Sequence, residues 1–294
     1  MSTPDPMRSA ELDGARLAFL EQGDPSAEPI VLLHGYPANH LSWRLQVPAL
    51  AEHHRVLALD WLGWGESERR LDLPFDYDTE VARLGRTLDA LGIEECNLFG
   101  HDYGGFLSLG FGERNPSRVL RLAILNSRAH RSFVPKWYAI FSITSLLGRS
   151  PVAAPLARLL PLEAINRRSL RGVVRAGVIE PEVLDHYLGW ISEPDGARWL
   201  VHFFGQYRVG ERPELGDRLS EIECPTAIVW GMRDPYLRTE VAEELAAQIP
   251  KAELSLIDAE HFVMEEAPDA VLRSLKRLLD RPPRRADTGA AVPS

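Results

Sequence analysis

The chain has 294 residues, of which 45% are hydrophobic, and a net charge of −9 at pH 7. This length suits a single α/β core with an insertion, and mixed charges without a basic stripe argue against a nucleic-acid partner. No apolar stretch approaches the length of a membrane span and the N-terminus has no apolar signal region, so we expect a cytoplasmic protein without a membrane partner.

Strands and helices alternate along the first part of the chain. Residues 1–10 are polar and are predicted to be disordered, and residues 11–23 predict a strand pair that turns at Asp13-Gly14. Unbroken apolar runs then predict strands at 29–35, 54–60, 96–102 and 121–127, separated by predicted helices at 41–53, 79–91 and 104–115. Such runs indicate a parallel sheet that is buried on both faces.

The alternation stops after residue 127 and resumes near residue 217. The segment 128–216 is helical in pattern, with aromatic residues scattered among Arg and Leu. Strands are then predicted at 225–231 and 252–259, helices at 239–249 and 268–280, and a disordered tail at 281–294. We therefore predict a core of residues 11–127 and 217–280 that is interrupted by a helical cap at 128–216.

The strongest chemical signal is the sequence from Gly100 to Gly105, GHDYGG, between a predicted strand and a predicted helix. A nucleophile on a sharp strand-to-helix turn needs small neighbours, which Gly100 and Gly104 provide. Asp102 is at the centre of this turn, where the amides of the helix N-terminus favour its charged form. The alternative interpretation is a glycine-rich turn in which Asp102 merely caps the helix.

Two further residues complete a chain order of nucleophile, acid and histidine. Asp234 follows one predicted strand and His261 follows the next, at the sheet edge where open α/β sheets bind ligands. We predict that His261 acts as a base and that Asp234 orients its ring. Asp258 and Glu260 are weaker candidates for the acid because they lie in the strand or its turn.

The turn after the third strand, HGYP at 34–37, is expected to supply one amide of an oxyanion hole. The predicted donors are the backbone N–H groups of Tyr36 and of Tyr103, the residue after the nucleophile. We expect His34 to be a structural hydrogen-bonding residue and Asp60 to hold loops in place.

These motifs resemble the α/β-hydrolase fold family over roughly residues 11–280. Within that family they are similar to the branch with an aspartate nucleophile, which includes epoxide hydrolases, haloalkane dehalogenases and fluoroacetate dehalogenases. The resemblance implies a mostly parallel eight-stranded sheet with helices on both faces and an inserted cap. It also implies a small-molecule substrate, water as co-substrate, and neither a cofactor nor a metal; the oligomeric state stays open.

An aspartate nucleophile changes the expected reaction. A carboxylate is already charged at neutral pH, and its attack on an sp3 carbon gives a stable alkyl ester that water can hydrolyse. Esters and peptides are therefore poor substrates, whereas epoxides and alkyl halides are good ones.

The resemblance favours an epoxide, whose leaving oxygen needs a proton donor. Tyr207 is the predicted donor in the cap, and Tyr138 is a weaker one. A halide would instead need N–H donors such as the indole of Trp137, so a haloalkane or haloacetate dehalogenase is the alternative. A third possibility is a non-catalytic protein of this fold that only binds a ligand.

Overall fold

Eight strands form one sheet in the computed structural model, which describes residues 7–129, 133–157, 159–193, 195–207 and 213–284. The strands are β1 (Arg8–Leu12), β2 (Ala15–Gln22), β3 (Pro29–Leu33), β4 (Arg55–Leu59), β5 (Cys96–His101), β6 (Val119–Leu125), β7 (Thr226–Gly231) and β8 (Ala252–Ile257). Their order is β1-β2-β4-β3-β5-β6-β7-β8, in which β2 runs antiparallel to β1 and β4 and the other pairs are parallel. The predicted fold class is confirmed.

The helices of the described residues lie between these strands and after them. They are α1 (Val47–Ala51), α2 (Tyr77–Ala90), α3 (Tyr103–Arg114), α4 (Pro135–Arg149), α5 (Ala153–Ala157), α6 (Leu162–Ser169), α7 (Arg171–Arg175), α8 (Pro181–Leu188), α9 (Gly196–Gln206), α10 (Thr239–Gln248), α11 (Val263–Glu266) and α12 (Pro268–Leu279). Short 3-10 helices occur at His40–Trp43, Pro116–Arg118, Gly189–Ser192 and Pro213–Glu221. Helices α4 to α9 follow β6 and precede β7, within the predicted cap; its bounds as a domain stay a prediction.

The two chain ends differ from the prediction of disorder. Strand β1 begins at Arg8, which pairs with Phe19 of β2, so disorder at 1–10 is wrong for residues 8–10; residues 1–6 lie outside the described part of the chain. The polar composition of residues 8–10 led to the wrong prediction because β1 is held by backbone pairing with β2, which does not require apolar side chains. At the other end, Arg281 donates hydrogen bonds to the carbonyls of Thr226 and Lys251, which ties residues 281–284 to the core. Residues 285–294 of the predicted tail lie outside the described residues.

The helix predicted over 41–53 is divided into two short helices. The 3-10 helix His40–Trp43 is capped by the Asn39 side chain, which accepts a hydrogen bond from the amide of Leu41, and α1 follows with Pro48 in its first turn. Proline has no N–H to continue a preceding helix but fits the first turn of a new one.

An aromatic cluster joins the sheet to the helices of the cap region. Trp64, in the loop after β4, packs edge-to-face against Trp190, Trp199 and Phe203 at centroid distances of 5.6, 4.9 and 5.1 Å. Rings in this geometry attract one another beyond the area that they bury. The helices after β6 therefore share one continuous hydrophobic core with one face of the sheet.

Helix α3 approaches β3 so closely that only glycine fits at its start. A methyl group on Gly104 would lie 2.5 Å from the backbone oxygen of Leu33, whereas one on Gly112 of the same helix would lie 3.8 Å from the nearest side chain. We expect Gly104→Ala to lower the free energy of unfolding by about 2 kcal/mol or more, because two backbones must separate. Gly112→Ala is the matched control and should be neutral or stabilising by up to about 1 kcal/mol. Urea unfolding followed by circular dichroism measures both, and equal stabilities would contradict the close approach.

Candidate active site

Asp102 occupies the sharp turn between β5 and α3. Its backbone angles, φ 48° and ψ −114°, fall where residues other than glycine are strained. Gly100 provides the clearance that the turn requires, since a methyl group there would lie 2.5 Å from the backbone oxygen of Gly104. The turn thus holds the Asp102 carboxyl group at the carboxyl edge of the central strands.

Both amides predicted for the oxyanion hole donate to the carboxylate of Asp102. The N–H of Tyr36, just after β3, lies 2.9 Å from Asp102 Oδ2. The N–H of Tyr103 forms a second hydrogen bond, which also favours the charged carboxylate. Two amides from different segments therefore converge on one side chain.

His261 and Asp234 lie beside Asp102, as their chain positions predicted. His261 Nδ1 is 2.7 Å from Asp234 Oδ2, and since a carboxylate only accepts, Nδ1 carries the proton in this hydrogen bond. His261 Nε2 faces Asp102 Oδ1 across 3.9 Å. This distance exceeds that of a direct hydrogen bond.

Asp234 is fixed by hydrogen bonds from three directions besides His261. Its Oδ1 accepts from the amides of Tyr236 and Leu237 at 2.7 and 3.0 Å, and its Oδ2 accepts from the side-chain amide of Asn126 at 2.7 Å. Asp258, the weaker candidate, points to solvent and pairs with Arg233. Asp234 alone of these two carboxylates contacts the imidazole.

Burial and neighbouring charges oppose each other at all three groups. Burial by itself lowers the pKa of His261, but the carboxylates of Asp234 and Asp102 outweigh it and raise that pKa above its ordinary value. Burial raises the pKa of Asp102 despite His261 and the two amides. Burial also opposes the charge on Asp234, yet His261 and the hydrogen bonds keep its pKa below the usual range. Asp234 is thus the most firmly ionised member of the group.

Two other histidines near the site have structural contacts. His34 Nδ1 donates to the carbonyl of Gly35 and its Nε2 accepts from the amide of Trp61, and burial lowers its pKa to about 4. His101 donates to the carbonyl of His261, and burial lowers its pKa to about 3. Both rings are therefore neutral near pH 7. Asp60 accepts from the amides of His40 and Glu66, which agrees with the loop-holding role predicted for it.

A cavity of about 350 Å³ lies over Asp102 and is lined mainly by apolar side chains. One face of α4 lines it with Trp137, Ile140, Phe141, Thr144, Leu147 and Gly148, a helical spacing of three and four residues. Tyr207, the predicted proton donor, also lines the cavity. Tyr138, predicted as a second donor, does not line the cavity; it is half-buried and lies one residue out of phase with this face.

Sequence reasoning missed two residues near the cavity. Tyr236 lines it, packs 4.8 Å from the ring of His261, and has its pKa raised to about 12 by burial and by Asp234 and Asp102. Arg128 is buried and donates a 2.7 Å hydrogen bond to the phenol oxygen of Tyr207. The position of Tyr236, two residues after Asp234, could have indicated it, whereas nothing local marked Arg128.

The other cap-region aromatics have different partners. Tyr187 donates to Glu265, and the indole of Trp190 donates to the carbonyl of Tyr187. Trp199 belongs to the aromatic cluster and, like these two, does not line the cavity. Among the described residues, no group of three or more His, Cys, Asp or Glu side chains could hold a metal ion, and no helix is both long and apolar enough to cross a bilayer.

Comparisons with known proteins agree with this architecture. A family model described as the alpha/beta hydrolase fold matches residues 28–268. The chain is similar to a cis-3-alkyl-4-alkyloxetan-2-one decarboxylase of Shewanella oneidensis, with 25% identity over 91% of this chain and 86% of that protein. It is similar to haloalkane dehalogenase 2 of Mycobacterium tuberculosis, with 25% identity over 93% and 96%. It is also similar to human epoxide hydrolase 4, with 24% identity over 93% and 78%.

The contact between Asp234 and His261 makes a testable prediction. We expect Asp234→Asn to lower the pKa of His261 by roughly 1 to 3, because the nearest negative charge is lost while burial remains. NMR titration of the imidazole C2 proton, assigned by its loss in His261→Gln, measures this change. Asp258→Asn removes an exposed carboxylate three residues before His261 and should leave the pKa unchanged. Equal shifts in the two variants would contradict the specific pairing.

Proposed function

The chain belongs to the α/β-hydrolase fold family, and we propose that it converts an epoxide to a diol through a covalent ester on Asp102. The family membership predicted from the motifs is confirmed, and the protein is a hydrolase. The observation that carries the proposal is that the Asp102 carboxylate, bound by two amides, lines one cavity with the imidazole of His261 and the phenol of Tyr207.

In the first step, a carboxylate oxygen of Asp102 attacks an sp3 ring carbon of the epoxide. The carbon–oxygen bond breaks, and the electron pair stays on the oxygen, which takes the proton of the Tyr207 phenol. The guanidinium of Arg128, already hydrogen-bonded to this phenol oxygen, is placed to stabilise the phenolate that forms. The products of this step are a hydroxyalkyl ester of Asp102 and a deprotonated Tyr207.

In the second step, water attacks the ester carbonyl carbon of Asp102 and gives a proton to His261. The amides of Tyr36 and Tyr103 then hydrogen-bond the oxyanion of the tetrahedral intermediate. When the intermediate collapses, the departing alkoxide takes the proton from His261 and the diol is released. Asp102 is then a carboxylic acid that carries the second proton of the attacking water, and this proton returns to the phenolate of Tyr207. One water is consumed, and each group returns to its starting state.

A second candidate reaction is the opening of an oxetan-2-one, a four-membered lactone, at its sp3 carbon–oxygen bond. The relative from Shewanella oneidensis carries such a substrate in its name. The aliphatic side chains of Leu147, Leu160, Leu162 and Ile165 line the cavity and suit alkyl substituents. Attack by Asp102 would release a carboxylate, which needs no proton donor; loss of CO₂ with departure of the Asp102 carboxylate would then give an alkene.

Dehalogenation, the remaining alternative, is supported mainly by Trp137. Its indole lines the cavity, whereas the indole N–H of Trp61 is already donated to the carbonyl of His34. The residue after Asp102 is Tyr103, which offers a backbone amide rather than an indole to a halide. Halide release, alkene formation and diol formation distinguish the three reactions.

The covalent intermediate can be trapped. We expect His261→Gln, incubated with a long-chain 1,2-epoxyalkane, to accumulate a protein adduct on Asp102 with the mass of one epoxide, since attack needs no base but ester hydrolysis does. Intact-protein and peptide mass spectrometry measure it. Single turnover of the unaltered protein in ¹⁸O-water should place ¹⁸O in the Asp102 carboxyl group. Diol formation with ¹⁸O found only in the product would sink the covalent route, and Asp102→Ala is the control that should form no adduct.

The role of Tyr207 can be tested against a tyrosine outside the cavity. We expect Tyr207→Phe to lower kcat for diol formation by about 10²- to 10⁴-fold, because the alkoxide loses its proton donor. Tyr138→Phe makes the same change outside the cavity lining and should leave kcat within about twofold. If Tyr207→Phe keeps full diol formation, Tyr207 is not the proton donor; if the unaltered protein forms only an alkene or releases only halide, the epoxide assignment is wrong.

A further inference from the structure

Exposed apolar side chains are concentrated in one part of the chain. Nine of the thirteen exposed large apolar side chains among the described residues lie between 140 and 165, on α4, α5, α6 and their connections. Leu159 is 74% exposed and Val152 is 71% exposed. Single exposed apolar residues are common on proteins, but such a concentration marks a surface that binds something.

The same part of the chain is strongly basic. Residues 135–179 contain seven arginines and lysines and one acidic residue, Glu163, in a chain whose net charge is −9. Lys136, Arg149, Arg168 and Arg171 are exposed and form no ion pair with the other described residues. The exposed apolar side chains therefore lie in a segment whose net charge is opposite in sign to that of the whole chain.

Helical spacing brings the two kinds of side chain together. Four residues of α4 follow one another at intervals of four, three and four: Lys136, Ile140, Ile143 and Leu147. On α6, Arg168 lies three residues after Ile165. Side chains at these spacings are neighbours on a helix surface, so cations flank the apolar stripes directly.

This surface surrounds the opening of the cavity over Asp102. Ile140, Leu147, Leu160 and Ile165 line the cavity and are also exposed, so the cavity reaches solvent between them. We call the exposed residues of α4 to α7 the rim face. A ligand that leaves an apolar phase at the rim face could enter the cavity without crossing bulk water.

We propose that the rim face binds peripherally to an anionic lipid bilayer, with its aliphatic side chains in the headgroup boundary and its cations on lipid phosphates. Aliphatic residues flanked by Lys and Arg are the composition of interfacial membrane-binding surfaces. The sequence-based expectation of no membrane partner rested on the lack of a spanning segment, and a peripheral contact needs none. A symmetric contact between two copies is disfavoured because it would bring two basic faces together.

Vesicle flotation tests this proposal without any turnover, so its outcome is independent of the proposed reaction. We expect the full chain to float with vesicles that contain phosphatidylglycerol and phosphatidylcholine at low salt, more weakly at high salt, and far less with phosphatidylcholine alone. Arg168→Gln combined with Arg171→Gln should weaken binding to the anionic vesicles more than tenfold, since each basic residue contributes on the order of fivefold.

A second pair of variants tests the apolar side chains. Ile143→Asp combined with Leu159→Asp should abolish flotation, whereas Leu254→Asp combined with Leu256→Asp, two exposed leucines on the edge strand β8, should retain most of it. Thermal unfolding confirms that each variant is folded. No flotation of the unaltered protein, or equal loss in both pairs, would overturn the proposal. A third result would also overturn the proposal: the unaltered protein does not bind vesicles but sediments as a dimer, and Ile143→Asp combined with Leu159→Asp makes it a monomer. That result would assign the rim face to a second copy.

Discussion

The carboxylate of Asp102 is largely removed from solvent, with 16% of its side chain exposed, and the arrangement of the site follows from the need to stabilise its charge. An ionised carboxylate removed from water needs hydrogen bonds and an opposite charge nearby. Here the amides of Tyr36 and Tyr103 donate the hydrogen bonds and the imidazole of His261, which can become a cation, lies 3.9 Å away, from segments that follow β3, β5 and β8. Because parallel strands end at one edge of a sheet, three segments distant in sequence can meet around one side chain. The strained turn at Asp102 and the glycine beneath it are the backbone conditions for this meeting.

Most of the sheet and the group around Asp102 could be predicted from sequence because their signals are local. Strands β3 to β7 were mainly apolar runs, and Asp102, Asp234 and His261 lie within four residues of the ends of β5, β7 and β8. The sequence-based interpretation of the site differs from the structure at two residues, and each difference has a physical cause. Tyr138 was chosen for its residue type, but the phase of α4 turns Trp137 and Phe141 toward the cavity instead. Arg128 donates a hydrogen bond to Tyr207, which is 79 residues away in sequence, so no spacing could have indicated the pair.

Average composition concealed a division of charge between parts of the fold. The chain is acidic as a whole, yet residues 135–179 are basic and hold most of the exposed aliphatic side chains. Which apolar side chains of α4 are exposed could be found only with burial known, because its sequence alone does not separate them from those that line the cavity. One of its faces lines the cavity with Trp137, Phe141 and Thr144, and its exposed side chains add Ile143 and Leu146. Helix α4 therefore presents apolar side chains both to the cavity and to solvent, and each set is stabilised by contact with an apolar partner.

The aromatic cluster around Trp64 bears on how this protein can move. Trp64 belongs to the loop after β4, while its partners Trp190, Trp199 and Phe203 belong to the helices inserted between β6 and β7. A rigid-body hinge that lifted those helices would have to separate all of these ring contacts at once. Local fluctuation of the shorter elements α5 to α7 breaks fewer contacts and costs less free energy. Molecules should therefore enter and leave the cavity through local opening of α5 to α7, while the aromatic cluster keeps the other inserted helices attached to the sheet.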